Sequence, residues 1–154
     1  MSKKTSLLSL ALLAGIALTP ALTSSTAFAV DDDTSTGSVD LSSVRAKIQT
    51  GHYAAALEEL RGLAEDTQQA DIYNLMGYTL RKTGDYATSL TYYTKALQLQ
   101  PDYRPANEYL GELYVETGNI GKAREQLAAL VKLCPGGCEE RQDLEKALKR
   151  TASK

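Results

Sequence analysis

Two cysteines, Cys134 and Cys138, carry the sharpest chemistry in this 154-residue sequence. The string Cys134-Pro135-Gly136-Gly137-Cys138 is open to three readings. A disulfide would close a short loop, and chain entropy then gives about 2 kcal/mol of stabilisation. A Pro-Gly-Gly turn can bring two Cα atoms within the ~4.4–6.8 Å that such a bridge requires. A redox-active pair is the second reading, against the Cys-x-x-x-Cys spacing and the lack of a thioredoxin-like strand pattern. A soft metal such as Cu(I) is the third, since spaced thiolates suit it, but no further cysteine lies nearby and both methionines are distant in sequence. An even cysteine count leaves no thiol unpaired, which favours the disulfide if the chain reaches an oxidising compartment.

Other reactive residue types form no recognisable constellation. His52 is the one histidine; it stands in a turn with no acid partner or nucleophile beside it, which argues against catalysis. The sequence has no Gly-x-Ser-x-Gly elbow, phosphate loop, dinucleotide glycine motif, His-Glu-x-x-His or Cys-x-x-Cys-His string. The run Asp31-Asp32-Asp33 lacks the spacing of a calcium loop and reads as solvated leader. No cofactor and no metal is expected, and the chain is not expected to be an enzyme.

The elements around these residues follow from composition and periodicity. With 43% hydrophobic and 23% charged residues and a net charge of −2, the chain has room for one domain with a core. Disordered, collagen-like and disulfide-knot classes are excluded. A near-neutral charge argues against nucleic-acid binding by phosphate neutralisation. Aromatic usage is skewed to Tyr 9, Phe 1, Trp 0.

Residues 1–29 are expected to be a secretory signal peptide. Lys3 and Lys4 form the positive n-region, Leu7 to Leu18 the apolar run, and Ala27-Phe28-Ala29 the small-residue cleavage site. The apolar run is too short to span a hydrocarbon core of ~30 Å at ~1.5 Å per residue. Its style is bacterial, so the periplasm is the expected destination, with no membrane span after cleavage. Loss of Lys3 and Lys4 would take the net charge from −2 to −4, and loss of Phe28 would leave tyrosine as the one aromatic type. Residues 30–38, acidic and rich in Ser and Thr, read as a flexible leader.

A repeat governs the rest. Thr50-Gly51-His52-Tyr53, Thr83-Gly84-Asp85-Tyr86 and Thr117-Gly118-Asn119-Ile120 place their glycines 33 and 34 residues apart. Ala56, Ser89 and Ala123 then correspond, as do Leu60, Tyr93 and Leu127, and Leu63, Ala96 and Leu130. Pro101 and Pro135 close two of the units. Each unit reads as two helices joined at a left-handed glycine, with Asp85 and Asn119 as expected N-caps of second helices. The predicted helices cover 39–49, 53–65, 70–82, 86–99, 104–116, 120–133 and 138–149. Glu139 to Lys149, with Leu144 and Leu148 on a charged background, reads as a polar-backed capping helix over 138–150, followed by a tail at 151–154.

The pattern resembles the tetratricopeptide repeat family. The middle unit supplies Tyr73, Met76-Gly77, Leu80, Ser89, Tyr93, Ala96 and Pro101 at the family's offsets; the third supplies Leu110-Gly111, Tyr114, Ala123, Leu127, Leu130 and Pro135, with Asn107 in place of the first aromatic. The first unit matches only in its second helix and has Val44 where the family has Gly. The resemblance implies an all-α, short right-handed solenoid of about three helix pairs (37–69, 70–103 and 104–137, within 39–137) plus the cap. A Cys-bearing turn before a final acidic-basic helix is, more loosely, similar to short exported repeat proteins of proteobacteria.

The family also implies where function lies. Its first helices line a concave groove, and its inward positions fall here on Asp71, Asn74, Tyr78, Arg81 and Lys82, then on Pro105, Glu108, Glu112, Val115 and Glu116, with Tyr109 adjacent. Glu108, Glu112 and Glu116 recur every fourth residue, a like-charge arrangement that costs a few tenths of a kcal/mol, roughly, per pair. Either Arg81 and Lys82 neutralise them, or the groove presents negative charge to a basic segment. Tyr78 is expected on the groove floor as a binding anchor. Tyr53, Tyr73, Tyr86, Tyr93 and Tyr114 fall on core positions of the repeat; Tyr78, Tyr92, Tyr103 and Tyr109 do not. The expected function is a non-enzymatic periplasmic adaptor that binds a peptide segment or helix of an envelope protein. The alternatives are self-association and a thiol-redox or copper-handling role for Cys134 and Cys138.

Overall fold

The computed structural model describes residues 39–152. The expected signal peptide and leader over 1–38, and the last two residues of the expected tail, lie outside the described residues. Seven helices follow one another: α1 Ser42–Gln49, α2 Tyr53–Asp66, α3 Ala70–Thr83, α4 Tyr86–Leu99, α5 Arg104–Glu116, α6 Ile120–Leu133 and α7 Glu139–Ala152. The described residues contain no strand.

The repeat's punctuation determines where the helices end. Gly51, Gly84 and Gly118 take φ of 76°, 87° and 77°, a left-handed backbone that costs a side-chain-bearing residue about 1 kcal/mol or more. At Gly84 the reversal lets its own N–H and that of Asp85 reach back to the carbonyls of Arg81 and Leu80, closing the end of α3. Asp85 then caps α4, its carboxylate accepting the N–H of Thr88 at 3.1 Å. Asn119 does not cap α6 as expected: its amide donates backward to Thr117 Oγ1 at 3.1 Å. A carboxylate can only accept, so it turns to the helix N–H groups; an amide has donors of its own to place. The first helix starts at Ser42 rather than near 39: the Asp40 side chain accepts the N–H of Ser42 at 2.9 Å, satisfying one of the free donors at the helix start. The last continues to Ala152, through half of the stretch expected as tail.

Helices pair as α1 with α2, α3 with α4 and α5 with α6, and each hairpin stacks on the next through α2–α3, α4–α5 and α6–α7 contacts. First helices also touch directly, α3 on α5 and α5 on α7. The repeat-register residues Ala56, Leu60, Ser89, Tyr93, Ala96, Ala123 and Leu130 are all fully buried. Full burial of a residue such as Leu60 or Leu130 contributes roughly 1.5–3 kcal/mol. Ser89 donates to the Gly77 carbonyl at 2.7 Å, so its buried hydroxyl is satisfied. Tyr86, expected in the core, is 41% exposed: it opens α4 in a run of exposed residues from Lys82 to Thr88 and lines an open surface cleft with Leu113, Tyr114 and Lys122 of the next hairpin.

Two glycines mark the closest approaches. A Cβ on Gly77 would meet the Tyr93 ring at 2.7 Å, and one on Gly111 would meet the Leu144 side chain at 2.5 Å. The second contact shows what α7 does. It packs on α5 with Leu144 and Ala147 buried, occupying the place that a first helix of a further repeat would take.

Alanine at Gly77 should therefore cost about 1–3 kcal/mol in urea unfolding, despite alanine's better helix propensity. Alanine at Gly62, an exposed mid-α2 position with nothing within 4 Å of the added atom, should instead stabilise by ~0.5–1 kcal/mol. Equal effects at the two sites would remove close packing as the reason for Gly77.

Candidate functional site

The face formed by the first helices gathers most of the expected site residues around one cation. Arg81, on the last turns of α3, is only 4% exposed. Its guanidinium forks to α5, with Nη2 donating to Glu112 at 2.7 Å and Nη1 to Glu116 at 2.8 Å. Its flat face lies 5.6 Å from the centroid of Tyr78 and 5.7 Å from that of Tyr109, within cation–π range. The two tyrosines pack against each other at 5.1 Å, tilted by 54°. Arg81 is thus the neutralising partner of two glutamates and a bond between adjacent repeats. Lys82 is not: it is exposed, with its ammonium 5.2 Å over the Tyr78 ring.

Two clefts flank this cluster. One, of about 610 Å³, lies between the ends of α3, α5 and α7 and is lined by Lys82, Val115, Ala147, Arg150 and Thr151 beside the Arg81–Glu112–Glu116 group. The other, of about 180 Å³, lies between α1, α3 and α5, with Arg45, Ile48 and Gln49 on one wall and Leu75, Tyr78 and Tyr109 on the other. Toward the start of the same helices, Asp71 takes Arg45 at 2.8 Å and the Tyr103 hydroxyl at 2.6 Å, tying α1 and the approach to α5 onto α3.

Glu108 and Asn74 sit differently from the exposed groove contacts expected of them. Asn74 is 2% exposed and its Oδ1 is buried with no hydrogen-bond partner. Glu108 is 8% exposed. Burial, reinforced by Glu112, Asp143 and Glu140 and opposed by Arg81, pushes its carboxyl up to about 8. The same environment pushes the Tyr109 hydroxyl up to about 12, through burial first and then the nearby Glu108 and Tyr78.

Sequence reasoning did not place α7 on this face. The signal was present in the spacing, since α3, α5 and α7 start at Ala70, Arg104 and Glu139, one repeat apart. It was weak because Glu145 stands where the repeat glycine would fall. At the turn before α7, the sulfurs of Cys134 and Cys138 are joined, with their Cα atoms 6.0 Å apart. His52 is exposed and shares a 2.8 Å contact with the Thr50 hydroxyl. No group of three or more metal-ligating side chains occurs among the described residues, and no helix among them is long and apolar enough to cross a membrane.

Stacked helical hairpins with a shared first-helix face define a helical-repeat protein of the kind that other polypeptides dock on. Two family models described as tetratricopeptide repeat match residues 41–103 and 80–149, and the chain belongs to that family. Among curated proteins it is similar to the uncharacterized protein ycf37 of Guillardia theta, 34% identical over 80 residues. That match covers 52% of this chain and 43% of the relative, so the chain spans less than half of that protein's length. Among solved structures it is similar to MamA, with a TM-score of 0.59 at 20% identity, covering 73% of this chain and 74% of that one; this likeness is one of fold.

Replacing Glu108 tests its environment. The unfolded carboxyl titrates near 4.5 and the folded one near 8, so between these values the folded state binds the extra proton and stability falls as pH rises. Below about 4.5 both states are protonated and the cost disappears. Glu108→Gln should therefore stabilise by on the order of 1–3 kcal/mol near pH 8 and by little near pH 4, read by urea unfolding at both. An equal gain at both pH values would show that charge is not the cause.

Proposed function

We propose that the chain is a non-enzymatic interaction module, exported to a bacterial periplasm, whose first-helix face docks a peptide segment or helix of an envelope protein. The observation that carries this reading is the Tyr78–Tyr109 pair, backed by Arg81 and lining the cleft between α1, α3 and α5, with the Arg81–Glu112–Glu116 group lining a second cleft beside it. Tyrosines held in place by packing give contact area at low entropic cost, which is how binding anchors work. Membership of a family that binds proteins supports the same reading. The N-terminal Lys-apolar-Ala-x-Ala string and the joined cysteines are consistent with export.

Two measurements check it. A photo-crosslinking amino acid at Tyr109 should capture a discrete partner in intact cells, whereas the same group at Gln98, exposed on α4, should not. Equal capture from both positions would place binding elsewhere. Separately, the protein recovered from the cell envelope should begin at Val30 and show no reactive thiol before reduction. Retention of Met1 would remove the export half of the proposal.

A further inference from the structure

The stripe of α5 that faces α3 carries three carboxylates, and Arg81 answers two of them. Glu112 and Glu116 hold its guanidinium at 2.7 and 2.8 Å. Glu108, one turn earlier, is more than nine-tenths buried and makes no hydrogen bond or ion pair with the described residues. The charges around it oppose its ionisation: Glu112 on its own helix and Glu140 and Asp143 on α7, with Arg81 on α3 acting the other way. The facing stripe of α3 runs Asn74, Tyr78, Arg81; its last two members touch α5. At its head, one turn before Tyr78, Asn74 Oδ1 is a buried acceptor with no donor. Asn74 and Glu108 occupy equivalent places in consecutive repeats.

A buried acceptor without a donor is costly, and a buried carboxylate more so, because only a cation offsets both its lost hydration and the repulsion of its neighbours. The group that fits is therefore a positively charged N–H donor with several hydrogens. The surroundings also suit the rest of such a side chain. Tyr109, the next residue, lies beside the carboxyl and packs against Tyr78, and the apolar stem of a lysine or arginine packs well on tyrosine rings while its head reaches a charge. We infer that Glu108 is an anchor for a lysine or arginine side chain of the segment that docks on the first-helix face. This rests on the groove reading above and adds the partner's chemistry: a basic segment with its anchor residue directed at α5.

The test selects binders from a displayed library of random short peptides against the full chain, then measures each on variants. The expected result is peptides with one fixed Lys or Arg, weakened on Tyr78→Ala and weakened about tenfold or more on Glu108→Gln, which keeps the shape but cannot ionise when the basic residue docks. Replacing that basic residue by glutamine in the peptide should cost the wild type as much and the Glu108→Gln variant little. Peptides that need Tyr78 but carry no fixed basic residue, or tolerate Glu108→Gln, would overturn the anchor and leave the groove reading standing. Peptides indifferent to Tyr78→Ala, or a library that yields no binder, would remove both.

Discussion

The burial of one guanidinium organises the first-helix face of this molecule. Neighbouring hairpins of a repeat protein must be held at a fixed angle, and apolar contact between α4 and α5 alone is tolerant of sliding. Arg81 removes that freedom. It is taken almost wholly out of water and satisfied at fixed geometry by two carboxylates one turn apart on α5. Burying a charge this way gives little net stability compared with apolar packing, but it is exacting about register, because any slip leaves a buried charge unpaired. The tyrosines that rest on the guanidinium inherit its rigidity, and so does the cleft that they line.

That clamp also explains why Glu108 stands apart. A planar fork spans two successive turns of the facing helix and no more. The third carboxylate of the stripe is left with the negative side chains of α7 and without a cation of its own. The charge pattern of α5 is one regular series along the sequence and two different environments in space.

The architecture was legible in the sequence because the hairpins repeat one punctuation: a left-handed glycine between the helices of all three, and, in the second and third, a small residue at the crossing and a proline after the second helix. These are local requirements, and local chemistry states them. The division of labour among polar residues was not legible. Arg81 and Lys82 are adjacent, about 100° apart around α3, and the rotation of the helix against α5 decides which one is buried. Asn74 and Glu108 fell on the expected face, yet their depth depends on how closely α5 and α7 approach, a tertiary distance. Tyr86 matched the core pattern by type but, as the first residue of α4, it lines an open surface cleft against α5 and α6 and stays exposed. The part played by α7 was hidden because Leu144 does at Gly111 what a ring does at Gly77, and a leucine on a charged helix gives little pattern to read.

The bridge before α7 bears on how copies of this chain treat one another. A terminal helix that docks through a few side chains is the kind of element that identical proteins exchange, each lending its end to the other once the connecting loop straightens. Straightened, the four steps from Cys134 to Cys138 would reach about 13 Å; the bridge holds the two cysteine Cα atoms at 6.0 Å. The hinge cannot open without reduction. In an oxidising compartment, α7 remains with the hairpins of its own chain, and the oxidised protein is barred from domain swapping at that end.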